Sequence, residues 1–366
     1  RWILMLPLFF LFRQVKLDWR VFSSGLSIGI FISVSIAIYA IYFFGVYRDA
    51  GGMNHIITFA EIMVISDIFL WTFMTLAWKN NYKKLAFILL LSSLLAFYGA
   101  LLAASRGALL AYIFVPLAII LFSFFKGFTS IKTILTKINL LRFFLGLLLI
   151  FFVLEVSQNN FLKLRITNTF SQILDNEYNQ ASSGRINIFN TTIKMIEQFP
   201  FGVGTDNFRN GAKAVIIRDK IKNPDVIVKN QNNYVLNGYE LGLDIQTLQS
   251  KYNHLYLESY NADGTLRFTS RWRHAHNEWL NILAENGFIG FVSLTLLFAF
   301  PIKIFLHKLD HSNQMVRIYS CCGIFLILSF AIFGQTQSIF TSHAAVMFFI
   351  FFLYLFLGQV SLLSKE

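Results

Sequence analysis

Charged residues and cysteines are both scarce in this chain. Asp, Glu, Lys and Arg make up only 14% of its 366 residues, whereas about a quarter of a soluble globular domain is charged. The two cysteines, Cys321 and Cys322, are adjacent within an apolar run, so a disulfide framework is not expected. Hydrophobic residues make up 56% of the chain, and 42 phenylalanines outnumber all 31 Lys and Arg together. This composition excludes a soluble enzyme of ordinary make-up and predicts a protein embedded in lipid.

Apolar runs long enough to cross a bilayer recur along the chain. A membrane-spanning helix needs about 20 mostly apolar residues. We therefore predict an all-α, polytopic integral membrane protein with about eight to nine transmembrane helices and one large loop domain. The eight predicted spans are residues 21–46, 55–78, 85–104, 107–125, 138–156, 287–306, 318–334 and 342–363.

The spans divide the chain into three predicted regions. These are N-terminal transmembrane helices in residues 1–156, a loop domain in residues 157–278 and C-terminal transmembrane helices in residues 279–366. Residues 1–12 resemble the end of a further span and the first residue is Arg, so we expect a truncated start. Roughly 120 residues are too many for a bare connection, so we expect the loop to form a small domain on the membrane surface.

Basic residues are distributed unevenly over the connections, and they account for the net charge of +12. In the short connections on one side, only Arg48 and Arg106 are basic. Fourteen Lys and Arg belong to the other side: Arg13, Lys16, Arg20, Lys79, Lys83, Lys84, Lys126, Lys132, Lys137, Arg142, Lys303, Lys308, Arg317 and Lys365. The positive-inside rule assigns these to the cytoplasm and the long loop to the outside. In that loop 14 basic residues nearly balance 11 acidic ones, so no nucleic-acid partner is expected.

A histidine motif precedes the sixth span. The segment HAHNEWLNILAENGFIGF contains His276-Asn277, then nine residues, then Gly287-x-x-Gly290. This order predicts an imidazole and an amide at the outer water–lipid boundary, a short helix, and glycines that permit close packing where the chain enters the bilayer. Histidine is well matched to proton transfer near neutral pH. The alternative is that His276 caps the short helix or lies at the interface.

Two arginines are candidate phosphate ligands. Arg106 lies in the turn Ser105-Arg106-Gly107, on the side whose short connections almost lack positive charge. A planar guanidinium suits a phosphate or diphosphate, although a lone interfacial arginine also contacts lipid head groups. Arg185, in the sequence SSGR before an amphipathic helical pattern, is a further candidate near a helix N-terminus. Its alternative is a solvated loop residue.

The loop also contains weaker patterns. His274-x-His276-x-Glu278 has the spacing of metal ligands, but it lacks a fourth partner, so no metal is expected. Gly202-x-Gly204 lacks the rest of a dinucleotide-binding fingerprint and is interpreted as a turn. The second half of the loop is rich in Asn, Gln and Tyr, which suit sugar hydroxyls. A solvated, partly disordered loop is the alternative.

The chain resembles the O-antigen ligase family, which also includes protein O-oligosaccharyltransferases and O-antigen polymerases. The resemblance is carried by Ser105-Arg106-Gly107, by SSGRINIFNTTIKMIEQFPFGVGTDNF and by the His276-Asn277 motif with its spaced glycines. It extends from about Leu85 to the C-terminus, with a family-like core at residues 85–306. One departure is the turn GQTQSIF, at residues 334–340, where some ligases have an acidic residue.

The resemblance implies an inverting, metal-independent glycosyltransferase of the GT-C type, without a cofactor, in the bacterial inner membrane. It would transfer a glycan from undecaprenyl diphosphate to an acceptor hydroxyl at the periplasmic face. His276 would be the base, Arg106 a catalytic residue at the diphosphate, and Arg185, His274 and Asn277 substrate-binding residues.

The acceptor is left open by the sequence. Lipid A–core, as in lipopolysaccharide biosynthesis, is the first hypothesis, and a protein hydroxyl or a growing lipid-linked glycan are alternatives with the same chemistry. A non-enzymatic transporter of polyprenyl-linked sugars is a more distant alternative. It is suggested by Glu61 and Asp67, which lie inside a predicted span, where ionisable groups are usually functional. These carboxylates could also pair with Arg106 or line a polar cavity.

Overall fold

The structure of the protein is a computed structural model. It describes residues 6–45, 55–103, 105, 107–108, 110–112, 114, 137–151, 167–168, 171–176, 182, 184–220, 226–230, 233–237, 255–260, 265–270 and 272–365. Arg106 and most of the predicted span 107–125 therefore lie outside the described residues. By internal contacts the chain divides into two compact units, one containing Ser171–Leu297 with Gly334–Ser338 and the other containing the remainder.

Six of the predicted spans are confirmed as helices long and apolar enough to cross a membrane. They are α2 (Trp19–Phe44), α3 (Ile56–Lys79), α4 (Lys83–Ala103), α8 (Glu278–Lys308), α9 (Gln314–Thr336) and α10 (His343–Leu363). Among the described residues of the membrane part, α1 (Leu6–Phe12) and α5 (Lys137–Phe151) are two shorter helices. The prediction of a polytopic, helical membrane protein is therefore confirmed.

The membrane helices pack through aromatic side chains. Phe69 of α3 and Phe356 of α10 meet edge to face with ring centroids 5.1 Å apart, and both are fully buried. Phe31 and Phe43 of α2 are instead 64% and 75% exposed. In a bilayer such exposed apolar side chains face lipid, so their exposure has no hydrophobic cost. The many phenylalanines thus form both the helix contacts and the lipid-facing surface.

Asp67 of α3 forms a polar network inside the helical bundle. Its carboxylate accepts hydrogen bonds from Ser93 of α4 and from Tyr112, and it pairs with Arg142 of α5. The Arg142 Nε also donates to Ser93 Oγ at 2.8 Å, and its guanidinium lies 4.3 Å from the centroid of the Trp71 ring. Asp67 therefore pairs with Arg142, whereas Arg106, the partner suggested by the sequence, lies outside the described residues.

The position of Arg142 differs from the predicted grouping of the basic residues. It was grouped with the basic residues of the cytoplasmic side, but its side chain is only 13% exposed and reaches inward to Asp67. A carboxylate in the apolar bundle needs a counter-ion, because an isolated buried charge is far more costly than a paired one. Arg142 supplies that counter-ion instead of extending toward the lipid head groups.

The loop unit combines helices with a small sheet. The helices are α6 (Arg185–Gln198) and α7 (Phe208–Lys220). The strands are β1 (Val226–Asn230), β2 (Asn233–Asn237), β3 (Leu255–Tyr260) and β4 (Thr265–Ser270). They form an antiparallel sheet in the order β1-β2-β4-β3. The sheet lies in the part of the loop rich in Asn, Gln and Tyr, and the sequence analysis did not predict it.

The core of the loop unit joins three segments of the chain. Met195 of α6, Phe208 and Val215 of α7, and Ala275 and Ala284 form one buried cluster. Ala275 directly precedes the candidate histidine, and Ala284 lies in the first part of α8. The residue before His276 and Ala284 of the helix that follows it are therefore both packed in this hydrophobic core.

Candidate functional site

His276 has an unusual backbone conformation. Its φ is +52°, in the left-handed region that a residue with a Cβ rarely adopts. The next residues hold the chain there. The backbone N–H of Ala275 donates to Asn281 Oδ1 at 3.0 Å, and that of Leu280 donates to Asn277 Oδ1 at 3.0 Å. The motif is thus fixed by side chains of the helix that follows it.

The cap of that helix is Asn277 and not His276. Asn277 is 8% exposed, and its Oδ1 accepts from an amide of the first helical turn, which otherwise lacks a partner. Its Nδ2 donates to the backbone oxygen of Gln335 at 3.3 Å and lies 3.4 Å from Gln335 Oε1. The alternative in which His276 caps the helix is therefore wrong. Substrate binding by Asn277 stays a prediction.

The imidazole of His276 contacts two polar side chains. Its Nδ1 lies 3.1 Å from Gln337 Oε1. An Nδ1–H that donates to this amide oxygen would leave the basic lone pair on Nε2. The His276 backbone N–H donates to His274 Nδ1 at 3.3 Å, and the two rings meet edge to face, with centroids 4.2 Å apart. His274 and Gln337 thus both contact the half-buried imidazole of His276.

The turn at Gly202-x-Gly204 contacts helix α8 near Gly287. Helix α8 is broken at Gly287, where φ is +64° and ψ is −163°, so the carbonyls of the preceding turn lose their helical partners. The amides of Val203 and Gly204 donate to the carbonyls of Ala284 and Glu285 at 3.0 and 2.8 Å. The turn FGVG therefore closes the broken end of the helix.

Close backbone approach explains why these positions are glycine. A Cβ on Gly202 would overlap the backbone carbonyl of Glu285, and a Cβ on Gly287 would lie 2.5 Å from the backbone carbon of Phe201. Both glycines also have positive φ angles. The prediction that glycines permit close packing before the sixth span is confirmed at Gly287. The predicted turn at Gly202-x-Gly204 is also confirmed, with a partner that the sequence did not indicate.

Glu285 links the short helix to α7. Its carboxylate accepts from Asn281 Nδ2 at 3.3 Å and lies near the backbone amides of Asp206 and Phe208. An acidic group at a helix N-terminus is stabilised by the amides that have no helical partner. Asn281 therefore connects this carboxylate to the backbone of Ala275, one residue before His276.

Of the two candidate arginines, Arg185 belongs to the described residues and Arg106 does not. Arg185 is the first residue of α6 and follows Gly184, whose φ is +78°. It is half-buried and lies at a helix N-terminus, where the backbone favours anions. Arg106 lies outside the described residues, although its neighbour Ser105 is buried. Phosphate binding by both arginines stays a prediction.

A sequence model described as O-antigen ligase matches residues 91–295, more than half of the chain. The chain belongs to the O-antigen ligase family. A comparison with curated proteins gives no match. The family consists of membrane glycosyltransferases of the ligase and polymerase type, which use lipid-linked glycans. The matched region of this chain includes Arg106, Arg185, His276 and the two glycine patterns.

Sequence reasoning missed the residue that contacts His276 Nδ1. Gln337 lies in the turn where some O-antigen ligases have an acidic residue, and that departure from the family pattern was its only signal. Asn281 and Glu285 were also missed, since they resemble ordinary polar positions of a short helix. Among the described residues, no three His, Cys, Asp or Glu side chains are grouped as metal ligands would be.

Proposed function

We propose that this protein transfers a glycan from undecaprenyl diphosphate to an acceptor hydroxyl at the periplasmic face of the inner membrane. The proposed reaction is the ligation of O-antigen to lipid A–core. The observation that carries the proposal is the geometry of His276, whose Nδ1 lies 3.1 Å from Gln337 Oε1. That contact fits a base with its lone pair on Nε2, within a family of membrane glycosyltransferases.

The proposed reaction needs one base and one site for the leaving group. His276 Nε2 takes the proton of the acceptor hydroxyl while that oxygen attacks the anomeric carbon of the sugar. The new C–O bond forms on the face opposite the diphosphate, and the old bond to the diphosphate oxygen breaks with inversion. The proton then passes from the imidazolium to solvent, and undecaprenyl diphosphate departs.

The diphosphate of the donor is already an activated leaving group. Arg106 and Arg185 are proposed to neutralise the charge that develops on the diphosphate, and Arg185 adds the favourable field of the α6 N-terminus. Guanidinium groups bind phosphate oxygens in a bidentate manner. With this charge stabilisation and one base, the proposed mechanism does not require a metal ion.

The transporter alternative loses one of its two supporting residues. Asp67 is paired with Arg142 and hydrogen-bonded by Ser93, so its charge is neutralised within the bundle. Glu61 is buried in α3. No observation on the described residues favours a protein acceptor or a growing glycan over lipid A–core.

An in vitro transfer assay tests the proposal. Purified protein is incubated with undecaprenyl-diphosphate glycan and with lipid A–core, an acceptor peptide or a second lipid-linked glycan in separate reactions. We expect product on lipid A–core only. The His276→Ala variant should lose transfer while still binding the donor, whereas His307→Ala, at the exposed end of α8, should retain it. Product on the peptide alone, or full activity of His276→Ala, would overturn the proposal.

A further inference from the structure

Phe201 lies at the tip of a tight turn. Helix α6 ends at Gln198, and the backbone N–H of Gly202 donates to the carbonyl oxygen of Phe199 at 2.8 Å. This bond closes a β-turn with Pro200 and Phe201 at its centre, and proline favours the first of these positions. The Phe201 side chain is 88% exposed. The turn therefore presents a large apolar ring on the surface of the loop unit.

The same turn lies beside the point where α8 changes from charged to apolar. Glu278 and Glu285 precede Gly287, whereas residues 288–302 contain no charged residue. Because charged groups are costly within hydrocarbon, this change marks the level at which α8 enters the bilayer. A Cβ on Gly287 would lie 2.5 Å from the backbone carbon of Phe201. The turn is therefore at the level of the membrane boundary.

Helix α8 exposes further apolar side chains from this level onward. Phe288 and Ile289 directly follow Gly287 and are exposed, as is Leu296 two turns later. A membrane-crossing helix keeps such side chains in contact with lipid. One exposed apolar residue is ordinary on any protein surface, but an exposed apolar group at the membrane boundary marks an interaction surface. Phe201 thus adjoins a surface of α8 that already faces lipid.

The residues around the tip fit a shallow insertion into lipid. Residues 198–205 contain no charged side chain, so the tip meets no charge penalty at the head-group level. Glu197 and Asp206 flank this segment and are exposed, which limits the depth that the turn can reach. A protein partner at this surface would have to compete with the lipid that surrounds the adjoining part of α8. Lipid is therefore the occupant that this position favours.

We propose that the turn Phe199–Phe201 inserts into the phospholipid leaflet in which α8 begins its span, between the head groups and the acyl chains. Surface elements of this kind bury apolar side chains about 5–10 Å into that boundary. The amides that follow the turn donate to the carbonyls of Ala284 and Glu285, so the inserted turn is connected to the short helix that follows His276. The anchor fixes the depth of the histidine motif relative to the lipid, and it does not depend on the proposed reaction.

Spin-label accessibility of the full chain measures this depth in vesicles of phosphatidylethanolamine and phosphatidylglycerol. Cys321→Ala with Cys322→Ala removes the two native thiols, and a nitroxide is then attached at Phe201→Cys. Leu296→Cys is the lipid-facing reference, and Asn210→Cys, at an exposed position of α7, is the control in water. Collisions with oxygen, which partitions into lipid, are compared with collisions with a water-soluble nickel chelate.

We expect the Phe201 label to have an oxygen-to-nickel collision ratio several-fold above that of the Asn210 label, and a depth of about 5–10 Å when calibrated with spin-labelled lipids. The Phe201 side chain is exposed, so its replacement leaves the packing of the loop unit unchanged. Phe199→Cys provides a second label on the same turn, which keeps the depth measurable if one variant fails to fold.

Two outcomes would overturn the proposal. A collision ratio at Phe201 equal to that at Asn210 would place the tip in water. Low collision rates with both reagents would show that protein covers the tip, and dilution with unlabelled protein would then identify a second copy of the chain from the loss of spin–spin broadening. Glycan transfer is not the readout, so the outcome is independent of the proposed function.

Discussion

His276 and Gln337 are 61 positions apart in the chain, yet the Nδ1 of the imidazole lies 3.1 Å from the amide oxygen. Gln337 is buried to 8% exposure, so water competes little for this contact. An amide oxygen in contact with the ring orients it without adding a negative charge. His276 therefore has an orienting partner that does not change the net charge of the site.

Gln337 is expected to act as a positioning residue. Gln337→Ala should lower kcat by about tenfold or more with a smaller effect on donor KM, because the imidazole loses its orientation. Gln337→Glu should retain more activity, but with the acidic limb of its pH profile shifted upward by about one pH unit, since a carboxylate stabilises the protonated imidazole. Gln14→Ala, at an exposed position outside the site, is the control for the loss of a glutamine side chain. Equal pH profiles for the unmodified protein and Gln337→Glu would contradict this role.

The diphosphate hypothesis predicts a specific requirement for guanidinium groups. Arg185→Lys and Arg106→Lys keep the charge but lose the bidentate fork. Each should weaken donor binding or turnover by about tenfold. Arg317→Lys, at an exposed position of α9, is the control for a general effect of lysine. Donor affinity and turnover that match the unmodified protein in both variants would exclude the arginines from the diphosphate site.

The glycine contacts predict a graded series of stabilities. Gly202→Ala combines a positive φ with overlap against the Glu285 carbonyl, so it should be the most destabilising. Gly184→Ala has a positive φ but open space around its Cβ, so it should cost only about 1–2 kcal/mol. Gly25→Ala lies in α2 with nothing near it and should be neutral or stabilising. Thermal unfolding midpoints of the three variants test this order. Equal midpoints for Gly202→Ala and Gly184→Ala would show that the backbone overlap is relieved.

Removing one partner of the Asp67–Arg142 pair is expected to destabilise the protein more than removing both partners. Asp67→Ala leaves a buried guanidinium without its counter-ion and should cost about 3–5 kcal/mol. Asp67→Ala with Arg142→Met removes both charges and should restore much of that loss. A double-mutant cycle on thermal unfolding measures the coupling. Arg20→Met, which breaks the exposed pair with Asp18, is the control and should have little effect. Additive losses at Asp67 and Arg142 would contradict a coupled pair.

The spans could be predicted because they depend on composition along a single segment. Helices α2, α3 and α10 lie where apolar runs of sufficient length occur, since lipid imposes that requirement on each helix separately. The position of Arg142 could not be predicted in this way. Whether an arginine extends to the head groups or pairs within the bundle depends on a carboxylate that lies 75 residues away in the sequence.

The sequence by itself determined the membrane class and the positions of six membrane-spanning helices, because each depends on local composition and length. The tertiary structure decided the partners. It assigned the helix cap to Asn277, placed Gln337 against His276 and brought the Gly202 turn to the broken end of α8. These contacts join segments distant in the chain, and their energies depend on packing and hydrogen bonding in three dimensions, which no local pattern of residues encodes.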